Sequence, residues 1–178
     1  VLPEMLLRKV LLKIGLEPVM SDDSTSRDNP NPSSKDHLRI YVDADVLFAG
    51  ASSPSQHSGS QVLLTLSEIT LVDGITSEIA VEECRRNLRA KLPGAIGDFE
   101  RLVGRALKVR ESPGREALNP HEGRADWKDL SHLVSALEAN CRYLTTYNVE
   151  DYEPGHPGVQ VVRPGALVRR VREKLSSL

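Results

Sequence analysis

Short apolar segments of strand length alternate in this sequence with longer segments whose apolar residues recur at helical spacing. Strands are predicted at residues 38–42, 70–74, 142–146 and 159–162, with helices between them. Strands that are separated by helices usually pair in parallel, and helices then cover both faces of the sheet. The sequence therefore predicts an α/β fold: a three-layer α-β-α sandwich around a mostly parallel central sheet.

The helical segments carry recognisable start and stop signals. Helices are predicted at residues 61–69, from Thr76 to about Leu92, and at 95–109, 126–140 and 164–175. Ser77 is a good N-cap for the second of these, and Pro93-Gly94 would end it. Pro164 suits the first turn of the last helix. Residues 112–123 are rich in turn-forming residues.

A change of composition divides the chain in two. Residues 3–16 form one amphipathic segment, whereas residues 20–36 contain mostly Ser, Asp, Asn and Pro and almost nothing that could be buried. We therefore expect residues 1–37 to be an N-terminal amphipathic segment plus a disordered linker, and residues 38–178 to be the folded domain. Only 4% of all residues are aromatic, so the core must be aliphatic.

Charge and cysteine content restrict the function classes. The formal net charge of −2 argues against indiscriminate electrostatic binding to nucleic acid, so only a local basic patch would serve. The apolar stretches are too short to span a bilayer, which predicts a cytoplasmic protein without a membrane partner. Cys84 and Cys141 have no Cys or His at zinc spacing and are interpreted as small core residues in a reducing compartment.

Acidic residues occur where predicted strands end and helices begin. Asp43 follows the first strand, Asp151 follows strand 142–146, and Asp129 begins the helix before that strand. Glu83 lies beside apolar residues inside its helix. Because open parallel sheets bind ligands at the carboxyl ends of their strands, these acids are expected to converge. Clustered carboxylates form a hard oxygen site that suits Mg²⁺ or Mn²⁺.

Each acid alone also has a purely structural explanation. Asp43 would cap the next helix, and Asp129 would complement a helix dipole. Glu83 would pair with Arg86 or Asn87 on a solvated face, and Asp151 would be a turn residue. Only the combination of acids points to a site.

Four ordered motifs resemble those of the PIN-domain family, including its VapC-type toxins. The resemblance covers about residues 38–175, and the motifs are Arg39-Ile40-Tyr41-Val42-Asp43-Ala44-Asp45-Val46-Leu47-Phe48, Thr76-Ser77 with Val81-Glu82-Glu83 and Leu88, Lys128-Asp129-Leu130 with Ala136, and Leu144-Thr145-Thr146-Tyr147-Asn148-Val149-Glu150-Asp151-Tyr152. The final strand and the helix that follows it also fit this family.

The resemblance implies a metal-dependent endoribonuclease that hydrolyses RNA phosphodiester bonds, as the toxin of a toxin–antitoxin pair. One or two Mg²⁺ or Mn²⁺ ions are implied, and RNA and an antitoxin protein are the implied partners. A homodimer contact is one role open to the Leu6–Ile14 helix; docking on the domain and an artefact of start-site choice are the alternatives. The residues that match the catalytic and metal-binding positions are Asp43, Glu83, Asp129 and Asp151, and the residues that match positions lining the site are Ser77, Thr146 and Asn148. Glu82 remains an alternative to Glu83.

Basic and aromatic residues near the acids are candidates for RNA contact. Residues 85–115 contain nine Lys or Arg and three acids. Arg85, Arg86 and Arg89 directly follow Glu83 and are predicted to bind RNA phosphates, with a solvated helix face as the alternative. Trp127 and Tyr147 flank the acids; base stacking is conceivable, but packing in the core is the favoured interpretation. His132, one turn beyond Asp129, is a candidate support for the metal ligands.

Two other functions compete with the nuclease. Asp43-Ala44-Asp45-Val46-Leu47 also resembles the nucleophile motif of haloacid-dehalogenase-type phosphohydrolases. That chemistry needs a well-placed lysine and a later Gly-Asp-x-x-x-Asp pair, and Lys128 is the only plausible lysine. The other alternative, a non-catalytic RNA-binding PIN domain, is disfavoured because the set of acids is complete.

Overall fold

The structure, a computed structural model, describes residues 38–52 and 58–176. The predicted N-terminal helix and linker lie outside the described residues, so the domain boundary stays a prediction. Within the described ranges, none of the helices has the length and apolarity that crossing a membrane requires.

The described residues form a sheet of five parallel strands. They are β1 (Arg39–Val42), β2 (Asp73–Ser77), β3 (Lys108–Arg110), β4 (Tyr143–Thr145) and β5 (Gln160–Val162), in the spatial order β3-β2-β1-β4-β5. Tyr41 in the central strand β1 is in register with Ile75 of β2 and Leu144 of β4.

Seven helices are formed by the described residues. They are α1 (Ala44–Ser52), α2 (Gly59–Glu68), α3 (Glu78–Lys91), α4 (Ile96–Ala106), α5 (Arg115–Leu118), α6 (Leu130–Glu138) and α7 (Pro164–Ser176). Short 3₁₀ turns cover Pro93–Ala95, Asn119–His121 and Val149–Tyr152. Ser77 caps α3 as predicted, because its hydroxyl accepts a hydrogen bond from the backbone N–H of Ala80.

The sheet separates two apolar cores, because successive strand residues point to opposite faces. Ile40 and Val42 face a core built with α1, α2, α3, α4 and α7. Tyr41 faces the other core, which α6 dominates. The three-layer α-β-α sandwich that the sequence predicts is thus confirmed. Both cysteines are buried in these cores, and burial raises the pKa of each thiol to about 12.

Three predicted element boundaries are wrong. The strand placed at 70–74 begins only at Asp73, because Thr70 has a φ of 61° and belongs to the left-handed turn that ends α2. The helix placed at 95–109 ends at Ala106, and the edge strand β3 follows it. The helix placed at 126–140 begins only at Leu130, after a turn that carries Asp129.

The order of the strands determines where a site can form. The chain runs from β1 outward to β2 and β3, and it then returns to place β4 on the other side of β1. The connections that leave β1 and β4 therefore diverge, and a crevice opens at the carboxyl ends of these two strands. Asp43 and Thr146 are the first residues beyond those ends.

Candidate active site

Asp43 lies at the centre of the crevice and is 6% exposed. Its backbone N–H donates to the carbonyl of Thr145, at 3.1 Å, which fixes it between β1 and β4. The N–H of Ala44 donates to Oδ1, and the hydroxyl of Tyr152 donates to Oδ2, both at 2.6 Å. The Asp43 carboxylate is thus buried and held by one donor on each oxygen.

His132 connects Asp43 with Glu83. Its Nε2 lies 3.7 Å from Oδ1 of Asp43 and 3.7 Å from Oε2 of Glu83. Its Nδ1 is 2.9 Å from the hydroxyl of Tyr41, which is 2.6 Å from the hydroxyl of Ser77. Burial lowers the pKa of His132, but Glu83 and Asp43 outweigh that effect and raise it overall. The imidazole lies 3.7 Å from one oxygen of each of these two carboxylates.

The two neighbouring glutamates of α3 point in different directions. Glu82 is exposed and accepts a hydrogen bond from Arg85. Glu83 faces His132, and this polar contact is the main cause of the lowered pKa of Glu83. Of the two alternatives that the sequence left open, the structure places Glu83 toward Asp43.

A second group of acids borders the crevice beside Asp43. Asp126, Asp129 and Asp151 each offer a carboxylate oxygen within 4.8 Å of the others. The ammonium of Lys128 lies 3.7 Å from Asp129 and 3.5 Å from Asp151. Burial, partly offset by Lys128, raises the pKa of Asp129 to about 6, and the charge of Asp43 contributes to this rise. Asp126 was not predicted as a site residue.

Asp45 is a further site residue that the sequence analysis did not select. Its Oδ2 accepts hydrogen bonds from the hydroxyl of Thr146, at 2.9 Å, and from the backbone N–H of Tyr147, at 2.7 Å. Burial and the neighbouring Asp43 raise its pKa to about 6. The signal was present in the sequence, since Asp43 and Asp45 both follow the buried strand directly.

The predicted lining residues occupy different positions. Ser77 and Thr146 are fully buried and take part in the hydrogen bonds described above. Asn148 is exposed, and its backbone N–H donates to the hydroxyl of Thr146 at 3.1 Å. Ser77 and Thr146 hold other side chains in place, whereas Asn148 presents its amide to solvent at the rim.

The three arginines of α3 are not equivalent. Arg85 donates to Glu100 at 2.7 Å and also binds Glu82, and these contacts raise its pKa. Arg89 lies 3.8 Å from Glu82. Arg86 is exposed and contributes to the lowered pKa of Glu83. Among the residues that the structure describes, Arg86 is the arginine of this group without a carboxylate at ion-pair distance.

The favoured interpretation of the two flanking aromatic residues is wrong. Trp127 is 88% exposed and Tyr147 is 41% exposed, so neither is packed in the core. Trp127 precedes Lys128 in the turn that leads into α6, and its side chain is open to solvent there. The hydroxyl of Tyr147 is 2.7 Å from that of Ser60, which holds the ring at the edge of the crevice.

The donor set of the crevice fits a divalent cation. All of its candidate ligands are carboxylate oxygens, which Mg²⁺ and Mn²⁺ prefer. Oδ1 of Asp45 and Oδ2 of Asp129 are buried and, among the described residues, lack a hydrogen-bond partner. A buried carboxylate oxygen without a partner is costly, and a cation would relieve that cost.

Comparison with solved structures shows the fold. The chain is similar to one in the crystal structure of VapBC2 from Rickettsia felis bound to a DNA fragment from their promoter. The match has a TM-score of 0.52 and 14% sequence identity, and it covers 71% of this chain and 98% of the other. No protein-family model matches the sequence, and no curated protein does. The similarity at this identity therefore concerns the arrangement of helices and strands.

Proposed function

We propose that this protein is a metal-dependent endoribonuclease. The observation that carries the proposal is the convergence of Asp43, Glu83 and Asp129 on one crevice, with Asp151 beside Asp129. The four ordered motifs that resemble PIN domains contain these same residues. A fold shared with a chain of a VapBC2 structure supports the same conclusion.

The metal ligands in this proposal are Asp43, Glu83, Asp129 and Asp151. One or two bound Mg²⁺ or Mn²⁺ ions would lower the pKa of an attacking water and neutralise charge on the scissile phosphate. No covalent nucleophile on the protein is required.

The residues around the ligands orient them before substrate binds. Tyr152 and the N–H of Ala44 fix the two oxygens of Asp43. His132, held by Tyr41, lies 3.7 Å from both Asp43 and Glu83 and links the two ligands. Preorganised ligands need little rearrangement during the reaction, and such rigidity is what electrostatic catalysis requires. Lys128 lies beside Asp129 and Asp151, where it can contact a phosphate oxygen of the substrate.

RNA is the proposed substrate, and Arg86 is its best placed basic contact on α3. Arg86 is exposed and adjacent to Glu83, so it would hold a phosphate close to the metal ligands. Arg85 and Arg89 face Glu82, and Arg85 also binds Glu100. In our proposal these two arginines support the helix, and their contribution to RNA binding is smaller.

We further propose a toxin role with an antitoxin partner in the cytoplasm. The support is the resemblance to VapC-type toxins together with the similarity to a chain from the VapBC2 structure. The test is co-expression with the product of the adjacent gene: a stable complex that inhibits RNA cleavage is expected. Size-exclusion chromatography of the protein alone also tests the proposed homodimer.

Cleavage of RNA with and without divalent ions tests the central proposal. The wild type is expected to cut RNA with Mg²⁺ or Mn²⁺ and to stop when EDTA is added. Asp43→Asn should lose cleavage and keep its far-UV circular dichroism spectrum, because it removes a ligand charge without changing the size of the side chain. Asp98→Asn, which removes an exposed carboxylate from α4, is the matched control and should cleave normally. Undiminished cleavage by Asp43→Asn would refute the proposed site.

A further inference from the structure

Trp127 combines high exposure with a position beside the acids. It is the only tryptophan in the chain, and 88% of its surface is open to solvent. An indole that is this exposed has a ring face free to stack on a ligand. Its sequence neighbours are Asp126, which belongs to the acidic group of the crevice, and Lys128, which pairs with two acids of that group.

The surroundings of Trp127 favour a nucleobase over a protein surface as its occupant. Protein interfaces centre on aromatic residues inside an apolar, desolvated patch. Residues 126, 128 and 129, which are neighbours of Trp127 in sequence, are all charged, and residues 122–124 are exposed as well. A base needs only one open ring face for stacking, and Lys128 together with the cation that the acids are proposed to hold would offset the repulsion between the carboxylates and the nucleic-acid backbone.

A second exposed aromatic residue, Tyr147, is linked to the same acids. The backbone N–H of Tyr147 donates to Asp45, and the charge of Asp43 helps to raise the pKa of Asp45. The charge of Asp43 also contributes to the raised pKa of Asp129, which is two residues from Trp127 in sequence. Both exposed rings therefore belong to segments that adjoin acids influenced by Asp43: Asp45 beside Tyr147 and Asp129 beside Trp127.

We propose that Trp127 is a stacking platform for an unpaired base of the RNA substrate, next to the phosphate that is cut. This inference rests on the proposed nuclease function and narrows the substrate to RNA whose bases at the site are not paired. A base within a duplex has both faces covered by its neighbours, so it cannot stack on the indole unless it leaves the helix.

Tryptophan fluorescence provides a direct test, because the chain has no other tryptophan. The full-length Asp43→Asn variant with Mg²⁺ is titrated with a short oligouridylate, with a duplex of oligoadenylate and oligouridylate, and with inorganic polyphosphate. The oligouridylate should quench the exposed indole. The duplex should quench it far less, and polyphosphate, which has charges but no bases, should leave the emission unchanged. Equal quenching by polyphosphate or by the duplex would overturn the proposal.

Binding of the same oligouridylate by variants, followed by fluorescence anisotropy of a labelled RNA, supplies the second readout. Trp127→Ala should weaken binding by about five- to 150-fold, the range expected for one base stacked on an aromatic ring. Trp127→Phe should restore most of the affinity. Leu92→Ala, which removes another exposed apolar side chain, is the matched control and should bind normally.

The outcomes separate this inference from the nuclease proposal. If wild-type protein cleaves RNA but Trp127→Ala binds it as tightly as the parent does, the stacking role is overturned and the nuclease remains. If Trp127→Ala instead weakens only the complex with the product of the adjacent gene, the residue is a protein contact and the stacking role is again overturned. If the wild type neither binds nor cleaves RNA with either metal, both proposals fail.

Discussion

Asp45 should make the metal-free protein less stable as the pH rises. Its pKa is about 6 in the folded protein, against an ordinary value of 3.8. One pKa unit corresponds to about 1.4 kcal/mol, so the difference of roughly two units amounts to about 3 kcal/mol. Because the folded state binds this proton more tightly, the penalty is absent below about pH 4 and fully present above about pH 6.

The Asp45→Asn substitution removes this penalty and keeps an oxygen that can accept from Thr146 and Tyr147. The neutral amide accepts weaker hydrogen bonds than a carboxylate, which costs about 1 kcal/mol. We therefore expect the variant to be about 1–2 kcal/mol more stable than the wild type above about pH 7 in EDTA. Between about pH 4 and pH 6 its stability should also depend less on pH.

Urea denaturation followed by far-UV circular dichroism measures both effects. Tryptophan emission is a poor reporter of unfolding, since Trp127 is already exposed in the folded state. Asp98→Asn is the control, because it removes an exposed carboxylate on α4. A pH profile of Asp45→Asn that runs parallel to the wild type, or a variant that is less stable above about pH 7, would refute the reasoning.

Two other substitutions test the support of the site. Tyr152→Phe removes the buried hydroxyl that binds Asp43, so it should lower the free energy of unfolding by about 1.5–3 kcal/mol and reduce RNA cleavage. Tyr143→Phe is the control, because the hydroxyl of Tyr143 makes no hydrogen bond among the described residues. It should change neither the free energy of unfolding, measured by denaturation, nor the rate of cleavage. Arg86→Ala should lower the slope of log RNA affinity against log salt concentration by about 0.7, because one phosphate contact is lost. Arg85→Ala should mainly lower thermal stability, because Arg85 binds Glu100. Equal salt slopes for the two variants would contradict the different roles that we assign to them.

The fold could be predicted from the sequence because its signals are local and strong. The buried run before Asp43 and the N-cap at Ser77 are both found where the pattern places them. The edge strand β3 was missed, because all three of its residues are exposed and carry no apolar periodicity. What makes Lys108–Arg110 a strand is its pairing with β2, a tertiary contact that a local pattern does not contain.

The site was predictable only in part, for a similar reason. Acids at strand ends indicate a shared edge, and this led to Asp43, Glu83, Asp129 and Asp151. His132 was a candidate support because it lies one turn beyond Asp129, but its contacts with Asp43 and Glu83, and the bond from Tyr152 to Asp43, join residues far apart in sequence and could not be predicted from local spacing. The exposure of Trp127 was also hidden, because an aromatic residue among charged ones suits a buried turn and an open rim equally well.

The bond between Tyr152 and Asp43 joins residues that are 109 positions apart. Contacts of such long range form late in folding, because closing a large loop costs entropy before any contact rewards it. During synthesis the ribosome releases Asp43 and Glu83 well before Asp129, Thr146 and Tyr152. A growing chain therefore carries the first acids without the side chains that hold them, and the crevice is assembled only when nearly the whole domain has emerged.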